Sequence, residues 1–100
     1  MTGMERLREW FEERRGKLLR LTRVDADEVP FPRNESFEFV MRDDEPRFWE
    51  SLSGQGVTVS TGNRIYCYST GDAVTIDGDS CVVDLTTGSG RKFLATYEVV

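Results

Sequence analysis

The sequence contains no histidine, and it has only two cysteines and three prolines among its 100 residues. The lack of histidine excludes Ser-His-Asp and Cys-His catalysis, and it removes the commonest general base and most zinc sites. An enzyme of this composition would have to work with carboxylates, tyrosine, lysine, arginine or a thiol. We therefore expect a non-catalytic protein that needs no metal and no cofactor.

Long apolar runs are also missing, since no run approaches the roughly 20 residues that cross a bilayer. Residues 1–20 carry charges throughout and lack the apolar core of a secretory signal. We expect a soluble, cytoplasmic protein with no membrane segment.

The length and the charge balance suggest one globular domain. The chain is 38% hydrophobic and 31% charged, as is typical of folded domains, and we expect a single domain spanning residues 1–100. Its net charge of −5 makes it acidic overall, although residues 1–24 are net positive. An acidic surface disfavours sequence-independent binding to nucleic acid, which depends on neutralising phosphates.

An amphipathic helix is predicted at the N-terminus. Its apolar residues fall on one stripe of a helix with 3.6 residues per turn: Met4, Leu7, Trp10 and Phe11. Thr2 and Glu5 have the spacing of a capping box. Residues 17–24 fit either a continuation of this helix or a first strand, and we favour a helix that ends near residue 20.

The middle of the chain predicts one strand and one short helix. Residues 36–42 alternate between apolar and polar side chains, as a half-buried strand does. The acidic run 43–45 with Pro46 fits the start of a helix, and we expect one near residues 45–52. Three apolar side chains would anchor that helix to the core: Phe48, Trp49 and Leu52.

The last 44 residues predict an antiparallel meander. Five apolar runs separated by turns fit successive strands: Val57–Ser60, Arg64–Tyr68, Ala73–Ile76, Ser80–Leu85 and Arg91–Val99. Turn chemistry then gives the registers, with Asp77-Gly78 as a two-residue loop. Segments 61–63 and 88–90 fit three-residue loops, and segment 69–72 fits a four-residue loop. These registers place nearly every strong apolar residue of the segment on one face.

Together these elements predict the α+β class. The amphipathic helix packs on an antiparallel meander sheet of five or six strands, which can curl toward a half-barrel. Residues 1–24 hold the helix and the alternative first strand, and residues 36–100 hold the sheet and the short helix.

The two cysteines are predicted to be free thiols in the core. The expected registers place Cys67 and Cys81 two strand spacings apart, or about 9–10 Å. That separation is too large for a disulfide.

The same registers leave a semi-apolar patch on the outer side of the sheet. It contains Tyr66, Tyr68, Val82 and Leu94, with Arg64 beside them. A solvated face of an antiparallel sheet is usually more polar. The patch is explained by coverage from the chain itself, for example residues 30–32, or by a protein or dimer interface. It is also explained by tyrosines that stack on nucleic-acid bases, which the acidic charge disfavours.

As a function, we favour a protein-interaction module that binds a protein partner or a second copy of itself. The partner-binding residues would be those of the outer patch. Two alternatives from other classes remain, namely a single-stranded nucleic-acid binder that uses the sheet tyrosines and a small enzyme that works without histidine.

Overall fold

One helix and eight strands make up the described part of the chain, which in this computed structural model comprises residues 1–25, 33–62, 64–85 and 93–100. The helix is α1 (Gly3–Glu12). The strands are β1 (Leu19–Asp25), β2 (Arg33–Phe39), β3 (Arg47–Ser51), β4 (Gly54–Thr61), β5 (Arg64–Ser69), β6 (Ala73–Asp77), β7 (Ser80–Asp84) and β8 (Phe93–Val99). They form a five-stranded sheet in the order β2-β1-β8-β7-β6 and a three-stranded sheet in the order β3-β4-β5. All pairings are antiparallel, and the predicted α+β class is confirmed.

Helix α1 begins at the predicted capping box. The Thr2 hydroxyl accepts a hydrogen bond from the Glu5 backbone N–H at 3.2 Å, and the Glu5 carboxylate accepts one from the Thr2 backbone N–H. The helix ends at Glu12, so the prediction of an end near residue 20 is wrong. Gly16 adopts a φ of +80°, which turns the chain away, and the first-strand alternative holds from Leu19 onward.

The short helix predicted near residues 45–52 is also wrong, because this segment contains strand β3. Arg47 pairs with Thr58 of β4, and the pairing continues to Ser51. On a strand, neighbouring side chains point to opposite faces. Phe48 therefore packs against the core, whereas Trp49 faces outward.

The strands of the meander divide between the two sheets. Hairpin pairing of β4 with β5, of β6 with β7 and of β7 with β8 is as predicted. Strands β5 and β6 belong to different sheets, so the predicted single continuous meander is wrong. The pairing of Tyr68 with Ala73, which the four-residue loop 69–72 implied, is wrong for the same reason. The expected curl toward a half-barrel is not confirmed.

Two of the predicted registers preserve the faces of the strands. The pairing of Ser80 with Glu98 agrees with the predicted register, although the loop 88–90 itself lies outside the described residues. Residues 26–32 also lie outside them, and they include the segment 30–32 that was considered as a cover for the outer patch. Asp77 pairs with Ser80, a register two residues away from the prediction. A shift of two keeps every side chain on the same face, because the period of a strand is two.

The register between β4 and β5 differs from the prediction by one residue. Thr61 pairs with Arg64 across a two-residue loop, of which position 63 lies outside the described residues. A slip of one residue turns every side chain of a strand to the opposite face. Tyr66 and Tyr68 are therefore in the core, 9% and 2% exposed.

Tyr97 of β8 lies at the centre of the core. Its ring makes edge-on contacts with Phe11 of α1, Phe39 of β2 and Tyr68 of β5, at centroid distances of 4.9, 6.1 and 6.0 Å. The hydroxyl groups of Tyr97 and Tyr68 share a buried hydrogen bond. This side chain thus connects the helix to both sheets.

The helix is fixed to the hairpin between β6 and β7 by polar contacts at its C-terminal end. Trp10 donates its indole N–H to the Gly78 carbonyl at 2.9 Å. Arg14 donates to the same carbonyl at 2.7 Å and to the Asp79 carboxylate at 3.0 Å, and its guanidinium lies over the Trp10 ring. These contacts hold α1 against the inner face of the five-stranded sheet.

The buried pair of hydroxyl groups predicts non-additive mutations. Tyr68→Phe or Tyr97→Phe alone leaves one buried hydroxyl without a partner and should lower the free energy of unfolding by about 1–3 kcal/mol. The double variant removes both groups and should cost clearly less than the sum of the single changes. Urea unfolding of the four proteins measures this, and additive losses would contradict the pairing.

The same groups predict a loss of stability at high pH. Burial raises the pKa of Tyr68 and Tyr97 above the usual value for a phenol, and it raises the pKa of the Cys81 thiol to about 12. In the unfolded chain, tyrosine titrates near about 10 and cysteine near about 8.5. Above those values the unfolded state releases protons that the folded state retains. The free energy of unfolding should therefore fall by about 1.4 kcal/mol per pH unit for each group.

Urea unfolding between pH 8 and pH 11 tests this expectation. The Tyr68→Phe/Tyr97→Phe variant is the control, because it lacks both phenols and should lose stability less steeply. A free energy of unfolding that stays constant across this range would contradict the assignment.

Candidate interaction surface

The five residues predicted for the partner-binding patch lie in three different places. Tyr66 and Tyr68 are in the core. Val82 and Leu94 are diagonal neighbours on the outer face of the five-stranded sheet, where both are half-buried. Arg64 lies at the edge of the three-stranded sheet, on the same side of β5 as Tyr66. The structure therefore does not bring the five together.

Arg64 belongs to an ion cluster between the two sheets. The guanidinium groups of Arg23 and Arg64 lie 3.7 and 3.5 Å from the same carboxylate oxygen of Glu35. Arg23 also lies over the Tyr66 ring, and Arg64 lies over the Phe37 ring. Because both cations already have a carboxylate and an aromatic ring as partners, this cluster fits a role in joining the sheets.

The outer face of the five-stranded sheet has the character of an ordinary solvated face. Its middle carries short β-branched side chains beside Val82 and Leu94: Thr22, Thr75 and Thr96. Arg20 borders them and pairs with Glu38 at 3.0 Å and with Glu98 at 3.8 Å. Neither of the two predicted residues on this face is fully exposed.

The outer face of the three-stranded sheet has a different character. It consists of ten residues, which we call the Trp49–Ile65 face: Arg47, Trp49, Ser51, Gly54, Gly56, Thr58, Ser60, Ile65, Cys67 and Ser69. Trp49 is 43% exposed and Ile65 is 67% exposed. The positions between them carry no charge. Two large apolar side chains thus flank a small, neutral centre.

Gly56 makes room for the Trp49 side chain. A Cβ atom built on Gly56 would lie 2.1 Å from Cε2 of the indole, so the ring lies directly over the glycine. Gly56 pairs with Trp49 on one side and with Ser69 on the other. The glycine therefore lets the indole lie across the face instead of standing away from it.

Cys67 lies on the edge strand of this face, beside Thr58 of the central strand. Its thiol is free and exposed, and its sulfur accepts a hydrogen bond from the Thr58 hydroxyl at 3.5 Å. Cys81 is also free but buried. The prediction of two free thiols is confirmed, whereas the predicted burial of Cys67 is wrong because of the register slip of β5.

A small cavity of about 90 Å³ adjoins the face at Ile65. Its lining combines charged and hydroxyl side chains, among them Arg42, Asp44, Glu45, Arg47 and Ser60. Glu45 is 2% exposed, and its Oε1 atom has no hydrogen-bond partner among the described residues. Two residues of the acidic run expected to start a helix, Asp44 and Glu45, instead line this cavity.

Comparisons with protein-family models, with curated proteins and with solved structures give no match. The surface is therefore interpreted from its own geometry. Within the described ranges, no three histidine, cysteine, aspartate or glutamate side chains are grouped as a metal site requires. No helix in the same ranges is long and apolar enough to cross a membrane.

Sequence reasoning missed Trp49 and Ile65 as surface residues and Glu45 as a residue of the cavity. A usable signal was present at the β4–β5 turn, because Gly62-Asn63 is a dipeptide that favours a two-residue hairpin loop. That loop gives the observed register and places Ile65 outside. Trp49 had no comparable signal, since its position depends on β3 being a strand.

The positions of the two thiols predict their reactivity. In the folded protein, one thiol, that of Cys67, should react rapidly with a disulfide reagent such as DTNB, because it is exposed. Cys81 should react only after unfolding, since burial raises its pKa to about 12 and blocks access. Cys67→Ser should abolish the rapid reaction. Two rapidly reacting thiols in the folded protein would contradict this assignment.

Proposed function

We propose that this protein is a non-catalytic protein-interaction module that binds a protein partner through the Trp49–Ile65 face. One observation carries the proposal: Trp49 and Ile65 are exposed on a sheet face whose centre is uncharged, in a chain that is 31% charged. Depletion of charge at the centre and enrichment of aromatic side chains are features of protein interfaces. Tryptophan is also prominent among residues that contribute most to binding.

The size of the face indicates how far a partner would extend. Three strands at a spacing of about 4.8 Å, each about 20 Å long, cover about 300 Å². A stable interface buries about 800 Å² on each partner. The partner would therefore also contact the neighbouring turn between β3 and β4, where Leu52 is fully exposed.

The tyrosine-based nucleic-acid hypothesis loses support from the burial of its rings. Stacking with bases requires an accessible ring face. Tyr66 and Tyr68 are 9% and 2% exposed, and their rings pack within the core. A protein partner needs neither ring, which is why we favour it.

Substitution of Ile65 tests the proposed surface. Ile65→Asp places a charge on the face without disturbing the core, and it should reduce capture of the partner from an extract of the source cells about tenfold or more. Val82→Asp is the matched control, because it introduces the same charge on the outer face of the other sheet. Equal capture by both variants and the wild type would contradict the proposal.

Two additions to this experiment make it specific for the face. A photo-crosslinker attached to Cys67 should react with the captured protein, whereas the same label on Cys67→Ser/Thr75→Cys should not.

Gly56→Ala should displace the Trp49 indole, shifting its N–H resonance but not that of Trp10, and should weaken capture. A crosslink to a second copy of the chain would identify self-association as the interaction.

A further inference from the structure

The cavity beside Ile65 contains an unusual buried carboxylate. Glu45 is 2% exposed, and its Oε1 atom is buried without a hydrogen-bond partner among the described residues. Its backbone carbonyl, by contrast, accepts a hydrogen bond from the Arg15 guanidinium at 2.8 Å. The backbone at this position is therefore held in place, while the Oε1 atom of the side chain lacks a hydrogen-bond donor.

Neither arginine that lines the cavity satisfies Glu45. Arg47 pairs with Asp44, and Arg42 donates to the Gly62 carbonyl at 3.1 Å. Within the described part of the chain, no ion pair involves Glu45. Burying a carboxylate is costly unless it is paired and hydrogen-bonded. Glu45 therefore lacks a positively charged hydrogen-bond donor, although two arginines line the cavity.

We propose that this cavity binds the cationic end of a lysine or arginine side chain supplied by the protein partner. The inference rests on the proposed function, because the cavity shares four residues with the Trp49–Ile65 face: Arg47, Thr58, Ser60 and Ile65. A partner docked on that face would reach Glu45 with a side chain at its margin. A basic residue beside an apolar contact is therefore the signature expected of the partner.

The dimensions and chemistry of the cavity fit such a group. A volume of about 90 Å³ equals that of about three water molecules, enough for an ammonium or a guanidinium group. Glu45 would accept a charge-assisted hydrogen bond, and the hydroxyl of Ser60, 5% exposed, lies in the same lining. A divalent metal is a poorer fit, because Ca²⁺ takes six to eight oxygen ligands and the described residues provide no group of three carboxylates or thiols.

The experiment is an NMR titration of the isolated protein with N-acetyl-arginine-N-methylamide and N-acetyl-lysine-N-methylamide. Both probes should give saturable shifts at Glu45, Ser60 and Ile65. The citrulline analogue has the shape of the arginine probe without its charge and should bind about ten- to a hundred-fold more weakly. This comparison uses only the wild-type protein, so it holds even if a variant fails to fold.

A pair of variants localises the effect. Glu45→Gln should abolish the saturable shifts, whereas Glu50→Gln, which removes an exposed carboxylate from the same sheet, should preserve them. Shifts that are absent with both cationic probes, equal for the citrulline analogue, or unchanged in Glu45→Gln would overturn the inference and leave the cavity as a site for water alone.

These results are independent of the test of the surface itself. Probe binding that depends on Glu45, together with unchanged capture by Ile65→Asp, would support the cation site and reject the proposed face. Loss of capture in Ile65→Asp without any probe binding would support the face and reject the cation site.

Discussion

The contact between Tyr97 and Tyr68 is the interaction on which the arrangement of the two sheets depends. Tyr97 lies at the centre of the five-stranded sheet, and its ring also contacts Phe11 of the helix. Both phenols are buried, and their hydroxyl groups are each other's hydrogen-bond partners. The pairing is made with the Tyr68 side of β5 facing inward, and Tyr66 lies on that same side. The helix and both sheets pack against this pair of tyrosines.

The orientation of β5 also decides which side chains lie on the outer face of the three-stranded sheet. With Tyr66 and Tyr68 turned toward the core, Ile65 and Cys67 must face outward, since neighbouring side chains of a strand alternate. The exposed apolar positions of the three-stranded sheet are thus a consequence of its packing. The predicted outer patch contained Tyr66 and Tyr68 because the predicted register of β5 was wrong by one residue.

The structure expected from local composition and the observed structure differ most clearly between residues 43 and 52. An acidic run followed by Pro46 has the composition of a helix start, yet the segment continues into strand β3. Residues 47–51 pair with β4 along one edge, whereas a helix of this length is marginal in isolation. The same change converts Glu45 from part of an expected helix start into a buried carboxylate that lines the cavity, and it moves Trp49 from the expected core to the surface.

The sequence by itself determined the α+β class, the capped amphipathic helix and most of the strands of the C-terminal half. These features depend on periodicity and turn composition, which are local properties of the chain. Only the tertiary structure decided the division into two sheets, the register of β5 and the surroundings of Glu45. Those features depend on contacts between distant segments. At the β4–β5 turn the composition fits both a two-residue and a three-residue loop, and this difference of one residue exchanges the two faces of the strand.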